Sequence, residues 1–197
     1  MEPAKFINVT AIVLAGGKNT RMGGVDKSLL PVKGIPMIRH IADQLHSHFS
    51  EILIGGDVAK YNFLGYRVIP DVSKGMGPLM GIYSCLLASG SDLNFITACD
   101  IPDINISLVS KMLELAADAD IVMPVHGEDS FEPLHAIYRK TVIPVARELL
   151  DEGRLRIAGL FGVLKTKFIP FDGREWYYNL NYPADYNDYN EDKKDPV

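Results

Sequence analysis

Apolar residues along the chain fall into two alternating kinds of segment. Seven runs have strand length: residues 9–15, 51–55, 66–70, 93–98, 120–125, 134–138 and 167–171. Three stretches between them carry apolar residues at helical spacing instead. Residues 36–49 set Ile38, Ile41, Ala42, Leu45 and Phe49 on one face, and residues 79–87 and 107–117 behave in the same way. Ser107, ahead of the amphipathic stretch 111–115, reads as the helix cap. Most of the strand-length runs are continuously apolar and not alternating, as expected of a parallel sheet covered on both faces. Repeated strand–helix alternation then predicts an α/β fold, a three-layer, doubly wound and mostly parallel sheet. No internal repeat or low-complexity linker divides the chain. The pattern predicts one domain over residues 1–190 and a polar tail over residues 191–197, which read EDKKDPV.

Composition mainly removes alternatives. The 197 residues are 47% hydrophobic and 23% charged, ordinary values for a globular domain large enough to bury a core without staples. No apolar run approaches the roughly 20 residues that cross a bilayer. Residues 9–15 read as a buried strand and not as part of a signal peptide, because Glu2 precedes them and a glycine-rich segment follows. A cytoplasmic protein is expected. Two cysteines make no disulfide framework, and neither has zinc-ligand spacing around it. The formal net charge is −5 and no Lys/Arg cluster stands out. Nucleic acid, whose phosphates demand a basic face, is therefore not an expected partner. An anionic small substrate stays open, provided that a few local residues supply the positive charge.

Such residues follow the first predicted strand directly. Residues 15–27 read AGGKNTRMGGVDK and hold four of the 17 glycines, where an even spread would put about one. Lys18, Arg21 and Lys27 interleave with Gly16, Gly17, Gly23 and Gly24. Glycine lets the backbone approach a ligand and turn its N–H groups toward an anion, while the basic side chains bring charge. A bare Gly-Gly pair would read as a surface loop. This density of glycine and cation behind a buried strand reads as a polyphosphate cradle. It is not the dinucleotide fingerprint, because no G-x-G-x-x-G is present. The Walker pattern fails as well, since Gly17-Lys18 is followed by Asn19.

Two carboxylates sit where ligands collect, at the carboxyl ends of predicted strands. Asp71 follows YRVIP, and its reading as a turn residue or a ligand contact is open; Gly75, Gly77 and Gly81 then let a second backbone segment pass near a ligand. Asp100, in FITACDIPDI, can hold Mg²⁺, which takes one or two carboxylates and shares substrate phosphates. Asp103 reads as a turn or cap residue, Cys99 as a buried small residue and His135 as a structural histidine. Asn179 and Asn181 are two apart, so on a strand both amides reach one ligand; a turn role is the other reading.

Leu14-Ala15-Gly16-Gly17, Arg21-Met22-Gly23 and Asp26-Lys27 resemble the L-A-G-G-x-x-x-R-M-G-x-x-K signature of nucleotidyltransferases. With Asp26 before Lys27, the segment is most similar to the molybdenum cofactor guanylyltransferases (MobA-type enzymes). Cys99-Asp100-Ile101-Pro102 resembles their metal-binding C-D-x-P motif. Asp71 with the later GPLMGI, residues 133–138, and the N-x-N-x-P of Asn179, Asn181 and Pro183 resemble further family segments. The resemblance covers residues 10 to about 189. One departure stands out: these enzymes often carry a nucleotide-contacting asparagine where this chain has Gly55-Gly56-Asp57, so Gly55 could offer only backbone groups there.

The resemblance implies the nucleotide-diphospho-sugar transferase-like fold and Mg²⁺-dependent transfer of GMP from GTP to the terminal phosphate of molybdopterin carrying molybdenum. It implies that Leu14, Ala15, Gly16, Gly17, Lys27, Asp71 and Asp100 bind the nucleotide. Arg21, Lys27 and Asp100 would carry the catalysis, with Asp100 on the metal and Asn179 and Asn181 as further contacts. Molybdoenzyme apoproteins or their chaperones would receive the product. The alternatives are a CTP-dependent cytidylyltransferase or sugar-phosphate nucleotidyltransferase of the same fold, and a non-catalytic nucleotide-binding adaptor. Lys27 and Asp100 together speak against the adaptor, which has no chemical need of both.

Overall fold

The computed structural model describes residues 5–16, 26–126, 130–171, 180 and 183–192. The first apolar run forms β1 (Phe6–Leu14), which begins before the buried residues do because Phe6 joins the ladder ahead of a kink at Asn8, φ 60°. A small hairpin follows, β2 (Pro31–Val32) and β3 (Ile35–Pro36), then α1 (Met37–His46), β4 (Phe49–Gly55), α2 (Val58–Tyr61) and β5 (Arg67–Ile69). The chain continues through α3 (Gly77–Ala88), β6 (Leu93–Ala98), α4 (Ile106–Leu115), β7 (Ile121–His126) and β8 (Ser130–Phe131). It ends with β9 (His135–Arg139), α5 (Val142–Asp151), β10 (Thr166–Pro170) and α6 (Pro183–Asp192).

Each of the seven expected strands is present, with boundaries moved by a few residues. Two local expectations change. Phe49 does not end α1 but opens β4: a turn at Ser47 and His48 intervenes, closed by His48 N–H on Leu45 O at 2.9 Å. Phe49 is nevertheless buried in the same cluster as the α1 residues, which is why it kept the helical period. The cap of α4 is Asn105 and not Ser107. Asn105 has extended backbone angles, and its side chain accepts from Leu108 N–H at 3.0 Å, whereas Ser107 already lies inside the helix.

The main sheet has the order β10-β7-β9-β6-β1-β4-β5, with β8 attached to β7. β1 pairs in parallel with β4 on one side and β6 on the other, and β4 with β5 and β7 with β10 are also parallel. β9 runs antiparallel between β6 and β7, and β8 antiparallel to β7. The sheet is thus mostly parallel. The apolar character of its central strands follows from burial on both faces. In β1, Val9, Ala11 and Val13 face one core cluster while Ile12 and Leu14 face the other; Ile52 and Ile54 against Leu53, and Phe95 against Ile96, divide in the same way. α1 and α4, with Tyr189 of α6, fill the first cluster, and α3 and α5 the second.

The strand order reverses at β1. From β1 the chain moves through β4 to β5 on one side, then returns with β6 on the other. A crevice opens outside the carboxyl ends of strands at such a reversal.

Candidate active site

The floor of the crevice is built from backbone. Ala15 N–H donates to Gly55 O at 2.8 Å, Cys99 N–H donates to Leu14 O at 3.1 Å, and Gly56 N–H donates to Ile69 O at 2.9 Å. These bonds lock together the ends of β1, β4, β5 and β6. Leu14, Ala15 and Gly16 of the expected cradle therefore lie at the mouth of the crevice, with Leu14 and Ala15 buried and Gly16 exposed. Gly17, Arg21, Asn179 and Asn181 lie outside the described residues.

Chain returning to the crevice makes a one-turn 3-10 helix, Lys27–Leu29, capped by Asp26, whose side chain accepts from Ser28 N–H at 3.0 Å. Asp26 is also ion-paired with Lys60 of α2. This turn brings Lys27 within electrostatic reach of Asp100. The Asp100 carboxyl is raised above the ordinary carboxylate range because it is desolvated by burial, and the Lys27 ammonium pulls it back down. Burial, together with the Asp100 charge, pushes the neighbouring Cys99 thiol up to about 12, so it is not a thiolate at neutral pH. A desolvated carboxylate facing a lysine is the arrangement expected where charge must be handled away from water.

Asp71 follows β5 by two residues and is raised by the same desolvation. Its Oδ1 lies 3.7 Å from where a side chain on Gly81 would begin, and Leu14 Cδ2 lies 3.4 Å from the same point. Gly81 thus keeps α3 close to both Asp71 and the end of β1. Gly77, at the start of α3, has φ 73°, a conformation that favours glycine.

Gly55 is a packing position. A Cβ there would meet Leu14 Cδ2 at 2.6 Å and Cys85 Sγ at 2.9 Å, and its carbonyl already accepts from Ala15. Asp57 caps α2 by accepting from Lys60 N–H at 3.1 Å. Of the backbone groups that Gly55 could offer, the carbonyl is thus already engaged with Ala15.

Other expected residues separate cleanly. His135 is fully buried, with Nδ1 3.3 Å from Thr97 Oγ1 and its ring edge-on to Phe95 at 5.1 Å. Burial lowers its pKa to about 3, so it is a neutral core histidine. Asp103 accepts from Tyr189 Oη of α6 at 2.9 Å and has His40 Nε2 at 3.8 Å, a tie between the Asp100 loop and two helices. Leu180, buried, donates its N–H to Asp100 O at 2.9 Å. Tyr61 belongs to none of the motifs in the sequence. It is buried at the end of α2, and its hydroxyl donates to Ala15 O at 2.8 Å. The available signal was an amphipathic aromatic a few residues behind a strand that ends in Gly-Gly.

Among the described residues, no three His, Cys, Asp or Glu side chains gather as a ready-made metal cage. Asp100 therefore offers a single partly buried carboxylate, which fits a hard cation sharing its shell with substrate phosphates and waters.

Residues 11–161 match the family model of the MobA-like NTP transferase domain. A protein of Carboxydothermus hydrogenoformans named "Probable molybdenum cofactor guanylyltransferase" is 34% identical over 91% of this chain and 93% of its own. The molybdenum cofactor guanylyltransferase of Vibrio vulnificus is 31% identical over 88% and 91%. Among solved structures, the molybdopterin-guanine dinucleotide biosynthesis protein A of Archaeoglobus fulgidus superposes with a TM-score of 0.77 at 22% identity, over 92% of this chain and 97% of that one. Its likeness shows the shared fold, that of the nucleotide-diphospho-sugar transferase-like nucleotidyltransferases. Family model and relatives together cover most of the chain, which therefore belongs to the MobA-like NTP transferase family.

Proposed function

We propose that the protein is a molybdenum cofactor guanylyltransferase, which transfers GMP from GTP to the terminal phosphate of molybdopterin carrying molybdenum. A phosphate oxygen of the acceptor attacks the α-phosphorus of GTP, the bond to the β-phosphate breaks, and pyrophosphate leaves. The nucleophile arrives with its charge, so the protein needs no side-chain nucleophile or strong base. It must align the two phosphates and balance their charge. Family membership supplies the nucleotide and acceptor. The observation that carries the chemistry is the convergence of Lys27 and the desolvated Asp100 at the reversal of strand order.

In this reading the backbone of Leu14, Ala15, Gly16 and Gly17 holds the nucleotide, and Asp71 contacts it from the end of β5. Lys27 and Arg21 balance the triphosphate. Asp100 holds Mg²⁺, which when bound neutralises phosphate oxygens that would otherwise repel one another. Burial of Asp100 away from bulk water strengthens each of these electrostatic contacts. Asn179 and Asn181 are assigned to the ligand as well, supported by the tie between their neighbour Leu180 and Asp100. The product passes to molybdoenzyme apoproteins or their chaperones, and the reaction runs in the cytoplasm.

Pyrophosphate release, measured with each of the four nucleoside triphosphates, with and without molybdopterin and Mg²⁺, tests this reading. Turnover is expected with GTP, acceptor and metal together. Turnover with CTP or a sugar phosphate, and none with GTP, would overturn it. Lys27→Ala and Asp100→Ala are each expected to lose about 10²–10³ in turnover while remaining folded, the usual consequence of removing one preorganised partner of developing charge. Pyrophosphate release at the wild-type rate from either variant would remove its assigned role.

A further inference from the structure

Lys27 is held from both sides by groups that themselves do no chemistry. Its predecessor Asp26 is ion-paired with Lys60, and its successor Ser28 places Oγ 2.9 Å from Tyr61 Oη and 2.8 Å from Asp26 Oδ1. Tyr61 Oη in turn donates to Ala15 O at 2.8 Å. A continuous chain of polar contacts therefore runs from the end of β1, through Tyr61 and Ser28, to the turn that carries Lys27. Tyr61 is 1% exposed, and burial pushes its hydroxyl up to about 12, so it stays protonated and able to donate. The ring reaches this place because residue 56 is glycine: a Cβ there would come within 2.7 Å of Tyr61 Cε2.

We infer that Tyr61 is a positioning residue for Lys27, clamping the Asp26–Ser28 turn to the carbonyl of Ala15 so that the lysine and the nucleotide-facing backbone keep a fixed separation. The inference rests on the proposed nucleotidyl transfer for its catalytic consequence, but the clamp is a physical property of the fold. Alignment of a charge donor with a reacting phosphate is sensitive to small displacement, and a shift of about 1 Å can cost on the order of 10²-fold in rate. Tyr61 needs no contact with substrate to have that effect.

Tyr61→Phe removes the hydroxyl and keeps the buried ring. It is expected to lower kcat about tenfold or more, with a smaller change in KM for the nucleotide, while the protein stays folded at the assay temperature. Ser28→Ala should behave in the same way, and the double variant should be no worse than Tyr61→Phe, since residues in one hydrogen-bonded chain are not additive. A second readout is independent of turnover. The amides of Ser28, Leu29 and Leu30, bonded to Asp26 Oδ1, Asp26 O and Lys27 O, should exchange hydrogen about tenfold faster in Tyr61→Phe, while β1 and β6 are unchanged. Wild-type kcat in Tyr61→Phe, or unchanged exchange at these amides, would overturn the clamp. A wild-type protein inert toward GTP and acceptor would instead overturn the proposed function, and amide exchange would still decide the clamp.

Discussion

Asp100 carries a tension between chemistry and stability. Its carboxyl is raised by burial, against the pull of Lys27, so holding the charge that the chemistry needs costs the folded protein stability. The direction of the linkage follows. Below the ordinary carboxylate range the group is neutral in both folded and unfolded chains and nothing is lost; as pH rises from the ordinary carboxylate pKa to the raised folded one, the unfolded chain ionises first and the fold is progressively destabilised. Asp100→Asn is therefore expected to raise the melting temperature at pH 7, with a gain that shrinks as pH falls into the carboxylate range, while lowering pyrophosphate release by about 10²–10³. Thermal melts of both proteins from pH 7 to pH 4 check this, and a lower melting temperature for the variant at pH 7 would contradict it. Lys27 and Asp100 were legible in the sequence because charged residues next to glycine or an apolar strand are conspicuous. Tyr61 was not, because its role depends on an oxygen 46 residues away. Gly55 illustrates the converse: it stood out where a polar contact was expected, and Leu14 and Cys85, packed against it, explain the absence of a side chain.

At the scale of elements, hydrophobic period located strands well and helix ends less well. β1, β4 and β6 announced themselves because burial on both faces leaves no polar alternation. α5 was missed: it is ten residues long, and Pro144 at its third position looks like a breaker, although a proline in the first turn removes no intrahelical bond. β9 was found, but its direction could not be, since HAIYR is as buried as β6 and β7, to which it runs antiparallel. The cap of α4 gives a clean test. Asn105→Ala should destabilise the protein by about 0.5–2 kcal/mol, the usual consequence of losing a cap acceptor. Ser107→Ala, inside the helix and exposed, should stay within about 0.5 kcal/mol of wild type. Urea unfolding of the two variants distinguishes them, and equal losses would return the cap to Ser107.

For the molecule as a whole, the sheet does two things at once: it separates two cores and presents one edge for chemistry. His135 belongs to the first task. Its pKa is lowered to about 3 by burial, against about 6.5 in an unfolded chain, so its contribution to stability is present above about 6.5 and is lost as pH falls toward 3. Its slope is up to about 1.4 kcal/mol per pH unit within that window. His135→Gln should flatten this part of the stability profile, measured by urea titrations at pH 7, 6 and 5; an unchanged slope would show that other groups set it. The sequence by itself determined the α/β class, the order of the strands along the chain, and the residue types of the cradle, because these depend on local period and local chemistry. Only the tertiary structure decided the order of strands across the sheet, the reversal at β1, and the meeting of Lys27 with Asp100. Those depend on contacts between residues far apart in the chain, which hydrophobic period does not encode. Parallel strands end on one edge, where the ends of β1, β4, β5 and β6 are bonded to one another and where Lys27 acts on Asp100.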